Sequence, residues 1–249
     1  MKISRMIGTV AISLVLALPL PGVAYAEPEG VSSAAADDSD VSALIVELVE
    51  RNPGTSFVEM EQAVKDAALA TGASATEVAR EALSEAGDPP GFVQIQPRSG
   101  SKPKANQRIG TARNRGDVFY TPSSTAGVNH GHSGIYSYTT KIVEADPSTG
   151  VVERWYTAVK VASGAHKQYV STSQANRNKA ADRARTYRGR SYNYNFAFNK
   201  TANGSMNCSQ VVWAAYKTAT GIDLDSDGGH GVYPSDIRDS KYTVSYQRF

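Results

Sequence analysis

Hydrophobic residues are distributed in three different ways along the 249-residue chain. At the start they form an apolar run over residues 6–20, preceded by Lys2 and Arg5 and followed by Ala24-Tyr25-Ala26. Basic end, apolar stretch and small-residue site are the layout of a secretory leader, with cleavage expected before Glu27. The run falls short of the roughly 20 residues that a spanning helix needs, and Pro19 and Pro21 interrupt its end. Residues 1–26 therefore read as a signal peptide, with no membrane span after its removal.

Over residues 41–86 the apolar positions recur at helical spacing, as at Leu44, Leu48, Val58, Ala63, Ala68, Val78 and Leu83. Asn52-Pro53-Gly54 and Thr71-Gly72-Ala73-Ser74 punctuate this stretch into three short helices, the last opened by the capping box Ser74-Ala75-Thr76-Glu77. Residues 27–90 are expected to form a small all-α domain. Residues 91–110, rich in Pro, Gly and Ser, read as a linker with a short extended piece around Val93.

Residues 111–249 open with a period of two. "GDVFYT", "HSGIYSY", "TKIVEA" and "VVERWYTAVKV" predict strands, joined by turns such as Asp146-Pro147-Ser148-Thr149-Gly150. Helical spacing then returns. Residues 173–188 carry alanines and many bases, a helix that packs through its small residues and leaves a basic face in water. A second helix is expected from Cys208 to a glycine stop at Gly221, with Val211, Val212, Ala215, Tyr216 and Ala219 as its core stripe. Strands and helices together define an α+β domain.

Charge changes the picture. Net charge is +2, but residues 27–96 hold 14 acids and 3 bases, whereas residues 97–249 hold 21 bases and 10 acids. The acidic helices are expected to dock on the basic half and cover it. The bases are scattered and no nucleic-acid motif is present, which argues against a nucleic acid partner. An anionic cell-wall polymer suits an exported chain better. No GxSxG elbow and no GxxxxGK[ST] loop occurs. His130 and His132 lack a nearby third zinc ligand, and the calcium-loop pattern of residues 223–228 meets Pro234 at its twelfth position, so neither metal nor cofactor is expected.

Cys208 is the single cysteine. In an exported chain a lone cysteine is an intermolecular bridge, a buried inert group or a reactive thiol. Its place at a helix start favours the last reading, because helix dipoles and a neighbouring imidazole promote thiolate. Among the four histidines, His132 stands out. If Ser137 to Thr139 form a three-residue turn, His132 lies directly across from Glu144 on one face, and the carboxylate orients the imidazole as the third member of a triad. A one-residue slip would move Glu144 to the other face.

These residues carry a resemblance. "GDVFYT", "HGHSGIYS", "KIVEA", "GRSYNYNFAFNKTANGSMNCSQVVWAAY" and "GVYPSDIRDSKYTVSYQ" resemble successive blocks of the circularly permuted, papain-like branch of the NlpC superfamily, the YiiX-like and YycO-like hydrolases. The similarity covers roughly residues 110 to 249. It implies a papain-like fold with an antiparallel sheet and a Cys-bearing helix. It further implies Cys208 as nucleophile, His132 as base, Glu144 as its orienter and Tyr192 as an aromatic residue lining the substrate site. Pro234, Asp236 and Ile237 match the closing "P-x-D-I" block. Two positions depart: Asn207 replaces an aromatic and Gln210 an acid.

The activity implied is a secreted or envelope cysteine amidase or peptidase acting on bacterial peptidoglycan peptides through a thioester. Hydrolysis or transfer of a lipid acyl chain is the alternative, expected to show an apolar tunnel beside Trp155, Tyr156 or Phe196. A non-catalytic wall-binding module is the third reading.

Overall fold

The computed structural model describes residues 34–86, 107–125 and 128–249. The leader, residues 27–33 and 87–90 of the helical domain, and residues 91–106 of the linker with the extended piece near Val93 lie outside the described residues.

Three helices come first, α1 (Ala34–Arg51), α2 (Phe57–Thr71) and α3 (Ala75–Glu85). Ser56 and Ser74 cap the second and third, each in a reciprocal capping box with Glu59 and Glu77. Each box satisfies two otherwise orphaned backbone donors. Ile45, Leu48, Met60, Val64, Val78, Ala79, Ala82 and Leu83 form the core between them. Val58, expected inside, is 70% exposed. It lies in the first turn of α2, where Met60 and Val64 face inward instead.

The rest of the chain builds β1 (Gln107–Arg108), β2 (Val118–Thr121), β3 (Ser124–Thr125), β4 (Val128–Asn129), β5 (His132–Tyr138), β6 (Lys141–Asp146) and β7 (Gly150–Trp155). A 3-10 turn over Tyr156–Ala158 breaks the long strand expected from residue 151 to 161 and sets off β8 (Lys160–Val161). Then follow β9 (His166–Val170), α4 (Gln174–Arg185), α5 (Cys208–Thr220), α6 (Pro234–Asp239) and β10 (Thr243–Arg248). Residues 107–110 do not belong to a linker: β1 pairs with β8, and Ile109 is buried.

The main sheet has six antiparallel strands in the order β10-β9-β2-β5-β6-β7. The class is α+β. Alternate residues feed two cores, as period two requires. Ile135 and Val143 join Ala180, Ala184, Val211, Val212 and Ala215 of α4 and α5, while Tyr136 and Ile142 join Ile109, Phe119 and Val161. Helix α4 packs through Ala180, Ala181 and Ala184, as its composition predicts. Helix α5 is more than an apolar stripe: every residue from Cys208 to Tyr216 is buried, and Gly221 ends it in the left-handed conformation. Ala219 is only half-buried.

Candidate active site

Cys208 is the first residue of α5, and its position is set by the cap before it. Asn207, the N-cap, accepts the Gln210 N–H through Oδ1 at 3.0 Å, and the Gln210 side-chain oxygen accepts the Asn207 N–H at 3.2 Å. The two departures from the family pattern are thus partners in one capping box. Asn199 donates to Asn207 Oδ1 at 3.1 Å and to the Val232 carbonyl at 2.9 Å, and Ser209 donates to that same carbonyl at 2.7 Å. Asn199, Asn207, Ser209 and Gln210 are all buried. This network locks the start of α5 against the segment that leads into α6. With the Gln210 N–H taken by the cap, the N–H groups of Cys208 and Ser209 are the first-turn donors left beside the nucleophile's own backbone.

His132 opens β5. Its Nε2 lies 2.8 Å from Glu144 Oε2, and Cys208 is near enough to the same ring to favour its protonated form. With Nε2 engaged by the carboxylate, Nδ1 is the nitrogen left for the thiol. Burial disfavours charge on the imidazole, yet the hydrogen bonds and attraction from Cys208 and Glu144 prevail and raise His132 from 6.5 to about 10. An imidazole that holds its proton at neutral pH stabilises a thiolate beside it.

The pairing register differs from expectation by two residues. Strand β5 continues to Tyr138, a bulge falls between Tyr136 and Tyr138, and Ile135 pairs with Val143. Continuing that ladder by one residue sets Gly134, not His132, across from Glu144. A two-residue shift preserves the face, so His132 and Glu144 still meet, as diagonal neighbours. Gly134 makes this possible, since a Cβ there would lie 3.2 Å from the Glu144 Cβ and 2.6 Å from the Phe119 ring.

The second carboxylate oxygen has a partner that sequence reasoning missed. Arg154 Nε lies 3.0 Å from Glu144 Oε1, and the carboxyl side chain is only 7% exposed. Glu144 pairs with Val152 in β7, which makes Arg154 its diagonal neighbour on that side. The tight turn over residues 146–150 and the alternation of β7 carry that signal. Tyr192 stands beside Cys208 in the packing, with its ring edge-on to Tyr194 at 4.9 Å. Burial, first, and charge at Cys208 push its phenol up. His130 stacks on Phe196 at 4.7 Å, and burial lowers its imidazole below 6.5.

A polar groove of about 280 Å³ lies between Gly54, Thr55 and Glu59 on one side and residues 192–195, Phe198 and Ser205 on the other. Trp155 is elsewhere, 56% exposed beneath Lys141. In the acidic turn, Asp223 is bound by Trp213 and Lys217, whereas Asp225, Asp227 and Asp236 converge, with the Lys200 ammonium on Asp225. Burial, and next to it the Asp227 charge, raises Asp236 from 3.8 to about 6.

Over 133 residues, 53% of this chain, the sequence is 44% identical to the Bacillus subtilis protein named "Uncharacterized protein YycO". The match covers 54% of that protein, so the chain spans about half the length of this curated relative. No family model matches, and no solved structure matches. Among the described residues, no helix is long and apolar enough to cross a membrane.

Proposed function

We propose that the chain is an exported cysteine hydrolase of the permuted, papain-like NlpC type that cleaves amide bonds in peptidoglycan peptides. One observation carries the reading: a cysteine on the first turn of α5 acts on the charge of His132, which is itself hydrogen-bonded to a buried Glu144. The Cys208 thiolate attacks the carbonyl carbon, and the oxyanion is held by first-turn N–H groups of α5. The C–N bond breaks as His132 passes its proton to the departing amine, leaving a thioester. His132 then takes a proton from water, whose oxygen attacks the thioester carbonyl, and the acid is released with Cys208 restored. Glu144 keeps the imidazole oriented and stabilises its charge.

The polar groove that Tyr192 borders supports a peptide over an acyl chain, while Phe196, packed on Cys208, is the feature that favours the acyl alternative. Mass spectrometry of peptidoglycan fragments and of lipids after incubation tests the reading, with Cys208→Ala as control. New amine and carboxyl ends that vanish in the control support it. Released fatty acid instead indicates the acyl alternative, and binding without any product indicates a wall-binding module.

A further inference from the structure

The helical segment forms one wall of the groove and packs against the aromatic residues beside Cys208. Gly54, in the turn between α1 and α2, has φ +106° and lies so close to the Tyr194 ring that a Cβ would stand 2.6 Å from it. Beside it, Asn52 is fully buried; its amide donates to Leu48 O at 2.8 Å and its Oδ1 accepts the Phe196 N–H at 2.9 Å. Between Arg51 and Pro53 on one side and His130, Tyr192, Tyr194 and Phe196 on the other, only about 10 Å³ remains open. That is about the room one water needs.

The far end of the segment grips the other wall. Glu85 accepts the N–H groups of His230 and Gly231 at 2.8 and 3.0 Å, and Glu81 pairs with His230 at 3.2 Å. Ala86 packs on the cluster of Phe196, Tyr233 and Cys208, and Ala197 enters the core of the three helices. Both loops flanking the start of α5 are therefore held by the helical segment. Cys208 is 0% exposed, whereas the His132 side chain keeps 23%. The grip is made of backbone hydrogen bonds and apolar packing. Glu81 lies beside His230, and the contacts made by Asn52, Glu85, Ala86 and Ala197 are to backbone N–H groups and apolar side chains, not to the scattered bases of the other half.

We propose that the turn Asn52-Pro53-Gly54-Thr55, seated on Tyr194 and Phe196, and Ala86, packed on the Cys208 cluster, cover the thiol and keep Cys208 latent until the helical segment is displaced. The inference rests on the reading of Cys208 as nucleophile. It names the regulation of that site.

The test is iodoacetamide labelling of Cys208 in the full chain, followed by intact mass, for wild type, Gly54→Val and Glu85→Gln. Gly54→Val drives a side chain into Tyr194 from a backbone conformation that disfavours one. Glu85→Gln keeps the shape and weakens the acceptor for two backbone donors. Labelling is expected to rise at least tenfold in Gly54→Val and about threefold in Glu85→Gln, with circular dichroism unchanged. Hydrogen exchange at His230 and Gly231 should quicken in Glu85→Gln, which keeps the test open if Gly54→Val fails to fold. Folded variants that label at the wild-type rate, with unchanged exchange, overturn the latch. Hydrolysis measured on the same samples separates the two ideas. Faster labelling with no hydrolysis by any form keeps the latch and removes the hydrolase. Equal labelling with hydrolysis by wild type does the reverse.

Discussion

Glu144 reaches His132 diagonally across β5 and β6, at 2.8 Å, through the space that Gly134 leaves by having no side chain. A methyl group there would meet the Phe119 ring at 2.6 Å and the Val143 carbonyl at 3.0 Å. Gly134→Ala is expected to destabilise the fold by about 1–3 kcal/mol, the usual cost of overpacking. Turnover per folded molecule should fall as well, because the strands carrying His132 and Glu144 must move apart. Urea unfolding beside activity measured per active thiol checks both.

Glu144→Gln removes the charge that stabilises the imidazolium while keeping the shape. Turnover is expected to drop by about 10²–10⁴-fold with the melting curve little changed, as when the acid of a triad is replaced by its amide. Arg154 is a positioning residue that acts through Glu144. Arg154→Met should lower kcat by about tenfold, leave KM unmoved and shift the alkaline limb of the pH profile, since His132 then feels an unsupported carboxylate.

The cap of α5 places the nucleophile. Asn207→Ala removes the N-cap acceptor and strands the buried amides of Asn199 and Gln210. Loss of a cap costs about 1 kcal/mol, and a buried unsatisfied donor about 1–3 more. Chemical denaturation is expected to show a loss of about 2–4 kcal/mol. Asn207→Asp, which retains the acceptor, should recover much of it.

Asp236 makes the fold pH-dependent. Its folded value of about 6 lies above 3.8, so the folded state holds that proton longer than the unfolded chain. Stability from this group is present below pH 3.8, falls as pH rises toward 6 and is gone above that. The step is on the order of 3 kcal/mol at most. Asp236→Asn should flatten the stability curve between pH 4 and 6, as read by melting temperature against pH.

Much of this site was legible before the structure. Period two placed the strands carrying His132 and Glu144, and the lone cysteine at a helix start with Gly221 as its stop located α5. Parity of the face survived an error of register, because the bulge near Ser137 and the length of the turn moved the pairing by two residues. Bulges leave no local signature in a strand of apolar and small residues, so that shift was out of reach. Arg154 was within reach by the same alternation. The Asn52 and Glu85 contacts join residues 144 to 146 positions apart, which local propensity does not encode. Charge pointed to docking of the two halves for a reason the structure does not use. It joins them through Ala197, Phe198 and backbone N–H groups.

The central claim is that His132 makes Cys208 a nucleophile. The most direct measurement is the pH dependence of Cys208 alkylation in the folded full chain, compared between the native chain and His132→Ala. The account predicts that the native chain keeps most of its labelling rate from pH 8 down to pH 6, because the protonated imidazole stabilises thiolate across that range. His132→Ala should lose at least tenfold at pH 6. Coincident curves for the two chains would contradict it.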